Sequence, residues 1–174
     1  FDAAAVTVSV TTLDPELARV LEPRASAPAR RLAAIRRLSA AGVRVGVLVA
    51  PIIPGLTEHE LPEILREAAA AGAASAGYVI LRLPWGLKAL FTEWLRRHRP
   101  ERADRVLSRI RDVRQGRLTD HRFGRRQRGT GTYAEQIGRL FEVSRRRVGL
   151  AAGGGPLSAA AFRPPSPEGQ ARLF

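Results

Sequence analysis

Cysteine and methionine are both absent from the 174 residues of this chain. Without cysteine there is no disulfide, no thiolate metal site and no thiol nucleophile. No apolar run reaches the ~18 residues of a membrane-spanning helix, and no segment has the layout of a signal peptide. The expected setting is the cytoplasm, with no membrane partner. Lysine occurs once, at Lys88. The three histidines, His59, His98 and His121, are scattered without ligand spacing and are expected to face solvent. Position 1 is Phe1 rather than methionine, so a fragment or late portion of a longer protein is expected.

What is present is an apolar content of 45% and a net charge of +13. The length suits one domain with a real core. The charge is concentrated: Arg96 to Arg147 holds 17 arginines against 6 acids, a net of +11, and the rest contributes +2. A GC-rich genome accounts for arginine over lysine but not for the clustering. Such a density attracts polyanions and holds phosphates bidentately. The expected contact is nucleic acid; the bland alternative is a solvated basic face.

Ala5 to Thr12 alternates as a strand and ends in Thr11-Thr12-Leu13-Asp14-Pro15. A short helix over about Pro15 to Leu21 follows. Ser26 as cap and Pro28 in the first turn start a longer helix, which Gly42 ends. Val43 to Ala50 reads as a buried strand that runs into Pro51-Ile52-Ile53-Pro54-Gly55. Pro51 and Pro54 fix φ and remove two donors; Gly55 permits a positive φ or the close approach of a ligand. Thr57 and Glu60 have the spacing of a capping box, and Gly72 closes that helix. Tyr78 to Leu83 is a third apolar strand, stopped by Pro84. Strands alternating with helices predict parallel βαβ units, and the apolar runs predict strands covered on both faces. Three amphipathic helices follow, and from Ala151 the composition falls to Gly, Ala and Pro, as in a flexible tail.

The turn Pro51-x-Ile53-x-Gly55-x-x-Glu58 resembles the GxIxGxxE motif of radical SAM enzymes, with proline in place of the first glycine. The wider stretch LEPRASAPARRLAAIRRLSAAGVRVGVLVAPIIPGLT is similar to spore photoproduct lyase and its DNA repair photolyase-like relatives. The matches are Glu22-Pro23, Ser26, Arg31-Leu32, Ala41-Gly42 and Ala50-Pro51-Ile52, and the resemblance extends over roughly residues 5–150. It implies an α/β fold: the C-terminal half of a partial (β/α)6 radical SAM barrel, then a helical basic extension and a disordered tail. The implied divisions are 1–84 for the last three barrel strands, 85–150 for the extension and 151–174 for the tail.

The resemblance also implies cofactors, S-adenosylmethionine and a [4Fe-4S] cluster at the C-terminal strand ends. The family's CxxxCxxC loop and GGE strand lie earlier in the chain and are missing here. Three thiolates would hold the cluster, so a missing N-terminal half is expected to carry it, and this chain alone is not expected to be catalytic. Reductive cleavage of S-adenosylmethionine in the parent would give a 5′-deoxyadenosyl radical that abstracts hydrogen from a substrate. By the same resemblance Ile53, with Ala50 and Gly55, meets the adenine. Ser9, Thr11 and Thr12 hold ribose hydroxyls, unless they only serve strand and turn. Arg31 reaches the methionine carboxylate, unless it is a surface arginine. Glu58 orients the turn, unless it only stabilises the first turn of its own helix.

Two further segments point to partners. Arg122, Arg125, Arg126 and Arg128, with Phe123, Gly124 and Gly129, have the composition of a phosphate-backbone grip for DNA, or of a basic loop packed on the barrel. Gln170, Leu173 and Phe174 resemble the short peptide by which bacterial DNA-maintenance proteins dock on the replication sliding clamp, with Ala171 where that motif prefers leucine; an ordinary chain end is the alternative. Two competing functions stand beside the radical enzyme: a non-catalytic nucleic-acid-binding or clamp-docking adaptor, and another α/β nucleotide-binding enzyme.

Overall fold

The valine-rich runs form three strands, β1 (Ala5–Val10), β2 (Arg44–Ile52) and β3 (Ser75–Ile80). The structure is a computed structural model and describes residues 3–119, 122 and 125–161. The strands pair in parallel in the order β1-β2-β3, with Val8 opposite Val47 and Val49 opposite Tyr78. Parallel neighbours need crossovers, and helices supply them. Helices α1 (Pro15–Leu21) and α2 (Pro28–Ala40) join β1 to β2, while a 3-10 turn (Glu58–Glu60) and α3 (Leu61–Ala70) join β2 to β3. Helices α4 (Leu87–His98), α5 (Ala103–Asp112) and α6 (Thr132–Arg147) follow. This is the expected mixed α/β architecture.

One face of the sheet is the main core. Val10, Val45, Val47, Val49, Tyr78 and Ile80 pack with Ile35 of α2, Ile64 and Leu65 of α3, and Ile137 and Phe141 of α6. The Tyr78 and Phe141 rings lie 4.6 Å apart. The other face is different. Thr7 and Ser9 are exposed on it, and Leu48, Gly77 and Val79 are half-buried. The expectation of strands covered on both faces is therefore not met at β1, whose Val-Thr-Val-Ser alternation is the pattern of a one-sided strand.

A second core sits at the C-terminal ends of the strands. It joins Leu17 of α1, Ile53 and Leu56 of the proline turn, Leu81 and Leu83, and the inner faces of α4 and α5. Trp94 belongs to it, and its indole N–H donates to the Val20 carbonyl at 2.9 Å. This second core explains one boundary shift. Leu81 and Leu83 leave the sheet to fill it, so β3 ends at Ile80 rather than Leu83. At its other end β3 begins at Ser75, three residues before the expected Tyr78, because Ser75, Ala76 and Gly77 carry little strand signal of their own.

Capping also differs. Asp14 caps α1, accepting from the Glu16 and Leu17 amides. Ser26 does not cap α2: the cap position is Ala27, without a side-chain bond. The Ser26 carbonyl instead accepts from Arg31 Nε at 2.9 Å.

Candidate functional site

The C-terminal end of β1 brings four of the expected residues together. Thr11 is buried, and its hydroxyl lies 2.9 Å from the Ala50 carbonyl and 3.0 Å from Glu22 Oε2. Glu22 in turn accepts from Arg31 Nη2 at 3.1 Å. Arg31 Nη1 donates to the Ser9 carbonyl at 3.0 Å. Arg31 is thus no loose surface arginine: its side chain is only 12% exposed, against 30% for Glu22. Its planar fork fastens the loop after α1 to the end of β1. A cavity of about 240 Å³ opens beside the pair, lined by Pro15, Ala18, Arg19, Glu22, Ser26 and Arg31.

Glu22 is the residue of this cluster that the sequence did not single out as a site residue. Its signal in the sequence is the Glu22-Pro23 match, which marks the loop but gives the carboxylate no partner. Only the fold shows that Glu22 and Arg31 meet over the end of β1.

Ile53 and Gly55 stand apart from that cluster. Ile53 is fully buried in the second core. Its N–H donates to Thr57 Oγ1 at 2.9 Å, and its carbonyl accepts from the Leu56 and Thr57 amides. Both backbone groups of Ile53 are therefore engaged within the turn. Gly55 takes the expected positive φ, +83°. The close approach it permits is by α5: a Cβ on Gly55 would stand 3.3 Å from Val106 Cα.

The expected capping box is not formed. Thr57 Oγ1 turns back to Ile53, and Glu60 crosses to the other loop. The Glu60 carboxylate accepts from Thr12 Oγ1 and from the Leu13 amide, each at 2.7 Å. Glu60 thereby locks the exit of β1 to the exit of β2, a tertiary use that outweighs a local cap. Glu58 is likewise tertiary. Its Oε1 accepts from the Tyr133 hydroxyl at 2.6 Å, and Arg109 lies 4.4 Å over the Tyr133 ring. Burial and the bond to Glu58 push the Tyr133 hydroxyl up to about 12.

The basic segment is fastened by its backbone. Gln127 accepts from the Ile80 amide at 2.8 Å. Arg114, 1% exposed, donates to the carbonyls of Ile80 (3.2 Å), Leu81 (2.8 Å) and Arg125 (3.2 Å). The side chains of Arg122, Arg125 and Arg128 are exposed and that of Arg126 is half-buried. Arg128 lies 3.9 Å over the Tyr78 ring. Phe123 and Gly124 fall outside the described residues, as do His121 and the tail residues Gln170, Ala171, Leu173 and Phe174. Arg44 Nη1 reaches the carbonyls of Gly154 (2.7 Å) and Pro156 (2.9 Å) at the start of the tail.

The donor set does not fit an iron–sulfur cluster. The chain has no cysteine, and no three His, Asp or Glu among the described residues converge as metal ligands. S-adenosylmethionine is a partial fit. The Ser9 side chain is exposed, whereas Thr11, Arg31 and Ile53 hold bonds to protein partners. No helix among the described residues is long and apolar enough to cross a membrane.

Residues 2–68 match the profile of the Radical SAM superfamily, a stretch that includes β1, α1, α2 and β2 and most of α3. Uncharacterized proteins of Mycobacterium bovis and Mycobacterium tuberculosis are each 39% identical over 110 residues, 62% of this chain and 31% of theirs. An uncharacterized protein of the Acidianus two-tailed virus is 43% identical over 53 residues, 30% of this chain and 18% of its own. The match thus spans about a third of the length of the mycobacterial relatives. No solved structure matches. The three-stranded parallel sheet and its helices are consistent with a partial radical SAM (β/α) fold. The superfamily implies S-adenosylmethionine and a [4Fe-4S] cluster in general.

Proposed function

We propose that this chain is the C-terminal half of a radical SAM enzyme of the DNA repair photolyase-like type, acting with an N-terminal half that carries the cluster. The observation that carries the reading is the superfamily match at residues 2–68 on a sheet that can grow only past β1. The outer edge of β3 is occupied by Gln127, Arg114 and Ala151. Among the described residues, only Arg31 reaches a backbone group of β1 from outside its pairing with β2. Additional parallel strands would therefore pair with β1 and roof its open face.

In this reading S-adenosylmethionine, bound with the cluster of the other half, supplies hydrogen-abstracting radical chemistry. Ser9, Thr11, Ala50 and Arg31 would hold its ribose and carboxylate side, and Ile53 and Gly55 would shape the adenine side. Glu22 would keep Arg31 oriented. The arginine-rich side would face a nucleic acid. The substrate of the whole enzyme is part of the same proposal.

The test is anaerobic reconstitution. The chain alone is expected to bind no iron, and a complex with a CxxxCxxC-bearing N-terminal segment is expected to show iron–sulfur absorbance and to cleave S-adenosylmethionine. A stoichiometric cluster on this chain alone, or failure of every such segment to bind it, would overturn the reading. One observation favours a second reading, an adaptor without chemistry: the density of arginine between Arg96 and Arg147. There Gln170, Leu173 and Phe174 would dock on a bacterial sliding clamp. Calorimetry of a Pro165–Phe174 peptide against the clamp decides this, with heat and competition by a clamp ligand expected if the adaptor reading holds.

A further inference from the structure

The chain has two tryptophans, and the fold treats them oppositely. Trp94 packs in the second core, 5.7 Å from Phe91, with its N–H satisfied by Val20. Trp85 is 92% exposed, the most exposed of the large apolar side chains among the described residues. Its φ is +54°, a left-handed conformation that a bulky residue adopts only at a cost. Hydrophobic burial would normally draw an indole inward. Here the turn Pro84-Trp85-Gly86 holds it out in water and accepts backbone strain in doing so. An observed outlier of this kind is a reason to look for a ligand.

We propose that Trp85 is a stacking platform for a base of single-stranded nucleic acid, with Lys88 and Arg96 meeting the flanking phosphates. Beyond the turn, α4 presents a groove of about 480 Å³ lined by Lys88, Ala89, Thr92, Glu93, Arg96 and Leu118. Lys88 and Arg96 are eight residues apart on the helix, about 12 Å along its axis. Both are exposed. An exposed flat aromatic next to a cationic track is the combination that binds single strands, because every base offers a π face and every linkage a charge. Positive charge is abundant in this part of the sequence, +11 between Arg96 and Arg147.

The basic loop is anchored at the same place. Arg114 bridges the carbonyls of Ile80 and Leu81 to that of Arg125. Trp85 follows Leu81 by four residues, at most about 14 Å of extended chain. A strand stacked on Trp85 would have phosphates within reach of Lys88, three residues on, and could extend toward the arginine loop. A membrane surface is the less suitable occupant. Phe91 and Leu95 of α4 face the core; Leu87 and Leu90 are exposed beside Trp85, but the groove next to them includes Glu93, which an anionic bilayer repels.

This inference rests on the nucleic-acid part of the proposal above, and the test separates the two. The 174-residue chain is titrated with a short oligothymidylate and, separately, with vesicles of phosphatidylcholine and phosphatidylserine, while tryptophan emission is followed. The oligonucleotide is expected to quench the emission. Trp85→Ala is expected to remove that quench and to weaken binding roughly 5- to 150-fold, the range for losing one base stack. Trp85→Phe should restore part of the affinity. Because Trp85 lies outside both cores, circular dichroism of these variants should match the parent. Binding of the oligonucleotide by Trp85→Ala as tightly as by the parent would overturn the stack and leave the nucleic-acid reading standing. No oligonucleotide binding at any salt concentration would overturn both, and a response to vesicles alone would make the platform a membrane anchor.

Discussion

β1 and β3 are both outer strands of one sheet, and they are finished in opposite ways. Beyond β3 the chain supplies its own edge. Ala151 pairs with the backbone of Ala74 and Ala76, Gln127 takes the Ile80 amide, and Arg114 takes two carbonyls. Beyond β1 the described chain offers only the guanidinium of Arg31. An unpaired strand edge is a template for another strand, and proteins cover or blunt the edges they do not use. The closure of one edge and the openness of the other leave β1 as the edge at which a further strand could pair. The two edges also differ in the side chains beside them. The closed edge carries the arginines, and the open one carries Ser9 and the Arg31 cluster.

The largest expected effect comes from breaking the closed edge. Arg114→Ala would strip hydrogen bonds from Ile80, Leu81 and Arg125 and leave a buried void. The expected loss is about 3–5 kcal/mol, read as a lower denaturant midpoint; a loss below about 1 kcal/mol would mean that the guanidinium does not close the sheet. At the open edge the expectation is reversed. Thr7→Lys should change unfolding free energy by no more than about 0.5 kcal/mol while reducing light scattering at high concentration. Amides of β1 should also exchange with solvent faster than those of β3. Equal protection of the two strands would remove the asymmetry.

An effect well below that of Arg114→Ala is expected at Tyr133, where α6 meets the turn after β2. Its pKa is raised to about 12, by burial first and then by the bond to Glu58. A raised folded-state value means that its contribution is fully present below the unfolded value, near 10. The unfolded chain loses the proton first, so stability should fall as pH rises from about 10 to about 12. Tyr133→Phe should remove that alkaline slope and cost about 1 kcal/mol at neutral pH. The phenolate absorbance difference between parent and variant gives the pKa directly, and an ordinary value would show that the Glu58 contact is not made in solution.

Much of the fold was readable residue by residue. Gly42 and Gly72 end helices with φ of +75° and +93°, and Pro15 and Pro28 open α1 and α2, because these residues act through backbone geometry that needs no partner. Sequence and structure part at side chains with two possible uses. Thr57 and Glu60 fit a capping box, Ser26 fits a cap, and each is spent on a different bond. A polar side chain takes the partner that the fold brings near, and local spacing cannot say which that is. Glu22 escaped notice as a site residue for the same reason.

The sequence by itself determined the order of strands and helices, the parallel sheet, the concentration of arginine and the absence of any thiolate for a cluster. These follow from periodicity, backbone restriction and composition, each a property of neighbouring residues or of the whole count. Tertiary structure alone decided which edge of the sheet is closed, that Arg31 of α2 and Glu22 meet over the end of β1, that α5 lies against Gly55, and that one tryptophan packs against the second core while the other faces water. Those outcomes depend on which distant surfaces meet, and burial and hydrogen bonding reward a contact only after the chain has brought its two sides together.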